Sequence, residues 1–325
     1  PTATCTEAGC GGPASGVCID NLSFDECPNV AREAAEDEEL DAPATPAPSP
    51  MVSIGSGPSL SVANCDALLR RTGGRLVALI GGHGVGKTTL LATTYELARR
   101  GELPGRAFGG SETIRGYEER CHLARLASES ASPDTLRTAA ALSFVHLDLV
   151  SSVRDHVIFA DRSGEQFERA LDKYELLLGY PELARAPILC LLIDAKRLAA
   201  SPHQEISQTR RLFMAVNDAG LLGGKSVTLV ATKFDAVPDG QDAECRERFD
   251  DLFAELKNRS PTGCDVDFQL TAARARPGST AFGEGIPELI ARFCAPPRKR
   301  VFELQVPSAP ASTNAYDGLR RREPL

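Results

Sequence analysis

The sequence predicts an α/β fold: a mostly parallel six-stranded sheet with helices on both faces, plus a small cysteine-rich N-terminal arm. Three observations carry that expectation. Near-continuous apolar runs alternate with helical patterns from about residue 75 to residue 294, as strands buried on both faces require. The stretch GGHGVGKTTL, Gly81 to Leu90, sets a glycine-rich turn between one such run and a helical pattern, the arrangement of an anion cradle. The first 27 residues hold Cys5, Cys10, Cys18 and Cys27 among glycines and few large apolar side chains, so they cannot build a core unaided.

Taken in order, residues 1–28 read as the cysteine-rich segment. The four thiols offer a tetrahedral zinc site that would fold it. Against this, no CxxC knuckle is present, and reduced cysteines in a disordered arm are the alternative. Residues 29–64 read as a linker, acidic in REAAEDEELDA and then rich in proline, serine and glycine. Residues 65–295 form the main domain. Its strands are expected at 75–80, 142–150, 154–160, 187–193, 225–231 and 265–270, the second and third joined by a tight Ser-Ser connection. Helices are expected at 87–100, stopped by Gly101, and at 165–178, 203–219, 241–258 and 287–294. The tail, 296–325, has no convincing periodicity.

Bulk properties narrow the function. A net charge of −8 over 325 residues gives no global reason to seek nucleic acid or anionic membrane. No apolar run approaches the roughly 18 to 20 residues of a membrane span, and no basic-then-apolar signal opens the chain. A cytoplasmic protein is expected, with Cys65, Cys121, Cys190, Cys245, Cys264 and Cys294 as reduced, mostly buried thiols.

Gly81, Gly86, Lys87 and Thr88 satisfy the phosphate-loop spacing GxxxxGK[ST]. Lys87 would reach the β- and γ-phosphates and Thr88 would ligate Mg²⁺. The main chain of His83, Gly84, Val85 and Thr89 completes the cradle. Asp161 ends a strand in FADRSGEQF, a carboxylate for the Mg²⁺ shell, and Gly164 follows with an N–H for a γ-phosphate. Thr232, Lys233 and Asp235 end another strand in LVATKFD. In this motif the carboxylate accepts two hydrogen bonds from guanine N1 and N2, which adenine cannot supply. Thr271, Ala272 and Ala273 follow the last strand, where a backbone N–H would meet guanine O6. Each motif sits at the C-terminal end of a strand, where α/β sheets bind ligands.

With these motifs in order, the chain resembles a P-loop GTPase of the Ras-like, translation-factor-related (TRAFAC) class over residues 73–294. DRSGEQF, the long segment before the second strand and the N-terminal CTEAGCGGPASGVCIDNLSFDECPN are similar to bacterial double-GTPase proteins. The resemblance implies a Ras-like G domain, GTP hydrolysis with Mg²⁺ and a nucleotide-dependent switch in a multi-component bacterial system. A GTP- or GDP-holding scaffold without turnover is the alternative.

Three features bear on catalysis. Thr138, and next Thr135, lie at the distance before Asp161 that the class gives its switch I threonine, a further Mg²⁺ ligand; an ordinary loop hydroxyl is the alternative. Thr113 is too far upstream, although the insert around it, 105–140, is long enough to bind a protein partner, as are the arm and the tail. After Gly164 comes Glu165, with Gln166 one place later. A carboxylate facing a γ-phosphate repels it, so slow hydrolysis is expected. His83 stands where small GTPases carry glycine, either crowding an arginine supplied in trans or lying exposed.

Overall fold

In the computed structural model the chain divides into two units, Pro1–Ile54 and Gly55–Leu325. The structure describes residues 4–5, 12–17, 23–27, 29–31, 57–121, 142–274, 276 and 280–295. In the first unit, β1 (Thr4–Cys5) precedes the four-residue α1 (Gly12–Ser15) and pairs antiparallel with β2 (Val30–Ala31). The described residues there form a short antiparallel ladder. Cys10 and Cys18 lie outside them, and among the described residues no group of three or more His, Cys, Asp or Glu side chains is placed to hold a metal.

The second unit starts earlier than the sequence boundary near residue 64. Leu60 exchanges backbone hydrogen bonds with Phe144 at 2.8 and 3.1 Å, and Ser61 caps α2 (Val62–Thr72) by accepting from the Asn64 N–H. Then come β3 (Arg75–Ile80), α3 (Lys87–Arg100), β4 (Ala107–Gly110), α4 (Ile114–Cys121), β5 (Leu142–Val150) and β6 (Arg154–Arg162). They are followed by α5 (Gly164–Ala170), α6 (Pro181–Arg185), β7 (Ile188–Asp194), α7 (Ala195–Ala200) and α8 (Pro202–Asp218). The last elements are β8 (Ser226–Thr232), α9 (Asp242–Asn258), β9 (Asp265–Leu270) and α10 (Ile286–Cys294).

The main sheet is seven-stranded, ordered β4-β5-β6-β3-β7-β8-β9. The expected six strands are all present. The seventh, β4, is the four residues AFGG on the edge beside β5, too short and glycine-rich to show a strand pattern. β5 runs antiparallel to β4 and β6, and the remaining pairs are parallel. The helix expected over 165–178 stops at Ala170, and a 3-10 segment, Tyr174–Gly179, replaces its second half. There Leu177 is buried while Leu176 and Leu178 on either side are exposed.

Alternation along the strands sorts the core into two layers. Leu76, Ala78 and Ile80 of β3 pack with Phe167 of α5, Phe213 of α8 and Phe249 of α9. Val77 and Leu79 face the other way, with Leu91 of α3, Tyr117 of α4 and Phe293 of α10. The sheet is thus covered on both faces, and the C-terminal ends of β3, β6, β7, β8 and β9 share one edge. Among the described residues no helix is long and apolar enough to cross a membrane.

Candidate functional site

The phosphate loop lies between the end of β3 and the start of α3. Gly86, the residue before the helix, has φ 99°, a left-handed conformation that glycine adopts without strain and that turns the backbone into the helix. The first turn of α3 contains no acidic residue to offset its positive end. Lys87 is buried, and its Nζ donates to the carbonyls of Gly81 at 2.7 Å and Gly82 at 2.9 Å. Burial pulls its pKa down to about 8, against the opposing pull of Asp161 and Glu168. Thr88 and Thr89, which open the helix behind it, are half-buried.

Asp161, next to last in β6 one strand away, is paired in register with Leu79 of β3 and fully buried. Arg120 of α4 donates to its Oδ2 from both Nε and Nη2 at 3.2 Å. The same guanidinium reaches Ser59, Ser143 and the Gly116 carbonyl, each at 2.8 Å. Gly164 is packed on the loop so closely that a Cβ there would lie 2.3 Å from the Gly82 carbonyl oxygen. Glu165 is exposed. Gln166 is turned from the loop: its Oε1 accepts from Arg162, whose guanidinium also pairs with both carboxylate oxygens of Glu182 and covers the Tyr180 ring. The carboxylate that meets the loop is instead Glu168, whose Oε1 accepts the His83 N–H at 2.7 Å. The His83 side chain is exposed.

The base motif is joined to the same loop. The Thr232 hydroxyl donates to the Val85 carbonyl at 2.5 Å. Lys233, with φ 57°, spans from the Gly84 carbonyl at 2.5 Å to Asp194 Oδ2 at 2.7 Å. Asp235 follows on a 3-10 turn, and its Oδ1 is buried with no hydrogen-bond partner among the described residues. A buried carboxylate oxygen in that state is costly and suits a ligand carrying N–H donors. Thr271 N–H donates to Ala231 O at 2.7 Å, and Ala272 N–H to Glu284 O at 3.0 Å. Those two amides are therefore already used, while Ala273 follows them half-buried.

The fold thus brings together Gly81–Thr89, Asp161, Gly164, Thr232–Asp235 and Thr271–Ala273. Thr138 and Thr135 lie outside the described residues. Thr113 is buried and structural, its hydroxyl accepting the His146 N–H at 2.8 Å. Sequence reasoning missed Arg120, Glu168, Asp194 and Arg197. Asp194, at the end of β7, caps α7 by accepting from the Arg197 N–H, and Arg197 Nη2 donates to the His83 carbonyl at 2.8 Å. An aspartate directly after an apolar strand run was the readable signal for that cap.

Residues 75–294 match the family described as Double-GTPase 2. No curated protein matches the chain. Among solved structures, the bacterial selenocysteine-specific elongation factor EF-Sec is similar at 18% identity and a TM-score of 0.38. That similarity covers 67% of this chain and 28% of the elongation factor's chain.

Proposed function

The chain belongs to the Double-GTPase 2 family, and from that premise we propose that it binds GTP and GDP at this sheet edge and hydrolyses GTP as a nucleotide-dependent switch. The observation that carries this reading is Lys233. It ties the TKFD stretch to the Gly84 carbonyl of the glycine-rich loop, so the two stretches the reading assigns to base and phosphates share one hydrogen-bonded frame. Asp235 would accept from guanine N1 and N2, and Ala273 N–H would meet O6. The loop amides, Lys87 and the Gly164 N–H would take the phosphates.

Thr88 and Asp161 supply hard oxygen donors beside the loop, the chemistry Mg²⁺ selects, with Thr138 as the proposed third ligand. Held by these residues, the ion would supply charge neutralisation to the phosphates. Lys87 would exchange the carbonyls of Gly81 and Gly82 for phosphate oxygens. Its contact energy then falls on the transferring group, where charge stabilisation governs the rate. Of the two residues after Gly164, Glu165 is exposed and Gln166 would orient an attacking water only on leaving Arg162, so intrinsic hydrolysis is slow in this reading.

Arg120 supports a role for the insert. It joins α4 directly to Asp161, so a protein partner seated on 105–140 would reach the phosphate site through one guanidinium. The N-terminal arm and the tail are the other proposed partner surfaces. A second reading, a GTP- or GDP-holding scaffold, is favoured by Gln166, whose amide oxygen is taken by Arg162. Equilibrium binding of GTP, GDP and ATP tests the site: guanine nucleotides bind and ATP does not. Single-turnover hydrolysis of labelled GTP then separates switch from scaffold, and absence of turnover with and without partners selects the scaffold.

A further inference from the structure

Two acidic residues on α5 stand three positions apart, and the fold gives them different surroundings. Glu165 projects into solvent. Glu168 lies against the phosphate loop, accepting the His83 N–H at 2.7 Å, and a Cβ on Gly82 would stand 3.0 Å from the same oxygen. Gln208 of α8 flanks this spot from the other side, its Nε2 2.9 Å from that position. At the start of the helix, Gly164 is seated on the backbone of Gly82 and His83 with no room for a methyl group. Between them Phe167 is fully buried, its ring centroid 5.9 Å from Lys87 Nζ. α5 is therefore closed on the loop at its first turn and again at Glu168. The second closure is a carboxylate on a main-chain amide, the bond by which such loops accept anions.

We infer that Glu168 sets the preference between GTP and GDP: its carboxylate latches α5 to the His83 amide, and its charge opposes a γ-phosphate arriving at the loop. This rests on the reading of the loop as a GTP site. The repulsion that the sequence assigns to Glu165 belongs to Glu168. A carboxylate pointing into solvent is screened by water on all sides, whereas one fixed on the loop amide stands closer to the phosphate position and is screened less. GDP ends one phosphate short, so the same charge opposes it less.

The test is competition binding of the full chain, at fixed Mg²⁺, with GDP and a non-hydrolysable β,γ-imido GTP analogue. Glu168→Gln removes the charge but keeps an oxygen for the His83 amide, and Glu168→Ala removes both. Asp172→Asn serves as the control, an exposed acidic residue just beyond α5. Glu168→Gln is expected to tighten the triphosphate analogue about tenfold and GDP by less than about threefold, the scale of one unit charge at an intermediate dielectric. Glu168→Ala should move the ratio in the same direction, and Asp172→Asn should leave it within about twofold. A wild-type protein that binds GTP and GDP, with Glu168 variants that leave their ratio unchanged, overturns the inference alone. Wild-type protein that binds neither nucleotide overturns the site reading and the inference together.

Discussion

Replacing Lys87 with methionine asks whether the phosphate loop stores a charge that only a nucleotide relieves. Methionine keeps the apolar stem beside Phe167 and removes the ammonium. In the folded, nucleotide-free protein burial holds Lys87 at about 8, against 10.5 for an exposed lysine. Keeping it charged at neutral pH therefore costs about 3 kcal/mol. The sign follows from proton counting. Between pH 8 and 10.5 the unfolded chain binds more protons at this residue than the folded chain, so wild-type stability rises with pH across that window. Below pH 8 both states are protonated and the cost is carried in full. Denaturant melts of nucleotide-free protein from pH 7 to 10.5 should show the wild type gaining up to about 3 kcal/mol on Lys87→Met. Titrations common to both proteins cancel in that difference. A wild-type-minus-variant difference that stays flat across the window would refute the argument that Lys87 is held charged at a desolvation cost. The variant should also lose triphosphate binding, since the loop's point charge on the β- and γ-oxygens is gone.

Gly164→Ala would push a methyl group to 2.3 Å from the Gly82 carbonyl. It should lower the stability of nucleotide-free protein by about 1 to 3 kcal/mol and speed hydrogen exchange across α5; unchanged melting and exchange would contradict the close seating of that helix. For the N-terminal arm, elemental analysis should find about one zinc per chain, lost in the Cys5→Ser, Cys10→Ser double variant while the second unit stays folded. Metal-free protein whose arm resists proteolysis would end the zinc proposal.

What the sequence made legible is what local patterning encodes. The six long strands, the turn at Gly86 and the motifs at strand ends rest on neighbours along the chain, and the parallel order then gathers them at one edge. What it hid depends on partners distant in sequence. Arg120 sits in IRGYEERC, a polar stretch with an interior glycine, and finds Asp161 only across 41 residues of chain. β4 is held by its pairing with β5, since AFGG has little strand propensity. Glu165 and Glu168 look equally able to face a phosphate, and only the docking of α5 through Phe167 decides between them. The helix expected over 165–178 fails for a similar reason. Arg162, Gln166 and Tyr180 form their own cluster at its flank, with the Tyr180 hydroxyl donating to the Gln166 carbonyl at 3.0 Å.

The central claim is that this site reads guanine through Asp235, and Asp235→Asn tests it most directly. The wild-type carboxylate presents a buried oxygen, without a hydrogen-bond partner among the described residues, for the N–H donors of guanine. The amide sets donor against donor at the exocyclic amine, whereas xanthine carries an acceptor there. In competition binding with GTP, ATP and xanthosine triphosphate, the variant should lose about 3 to 5 kcal/mol of GTP affinity, the penalty for a mismatched buried polar pair, and gain xanthosine triphosphate binding. A variant that keeps the wild-type preference for GTP would show that Asp235 does not contact the base, and the assignment of this sheet edge as a guanine-nucleotide site would fall with it.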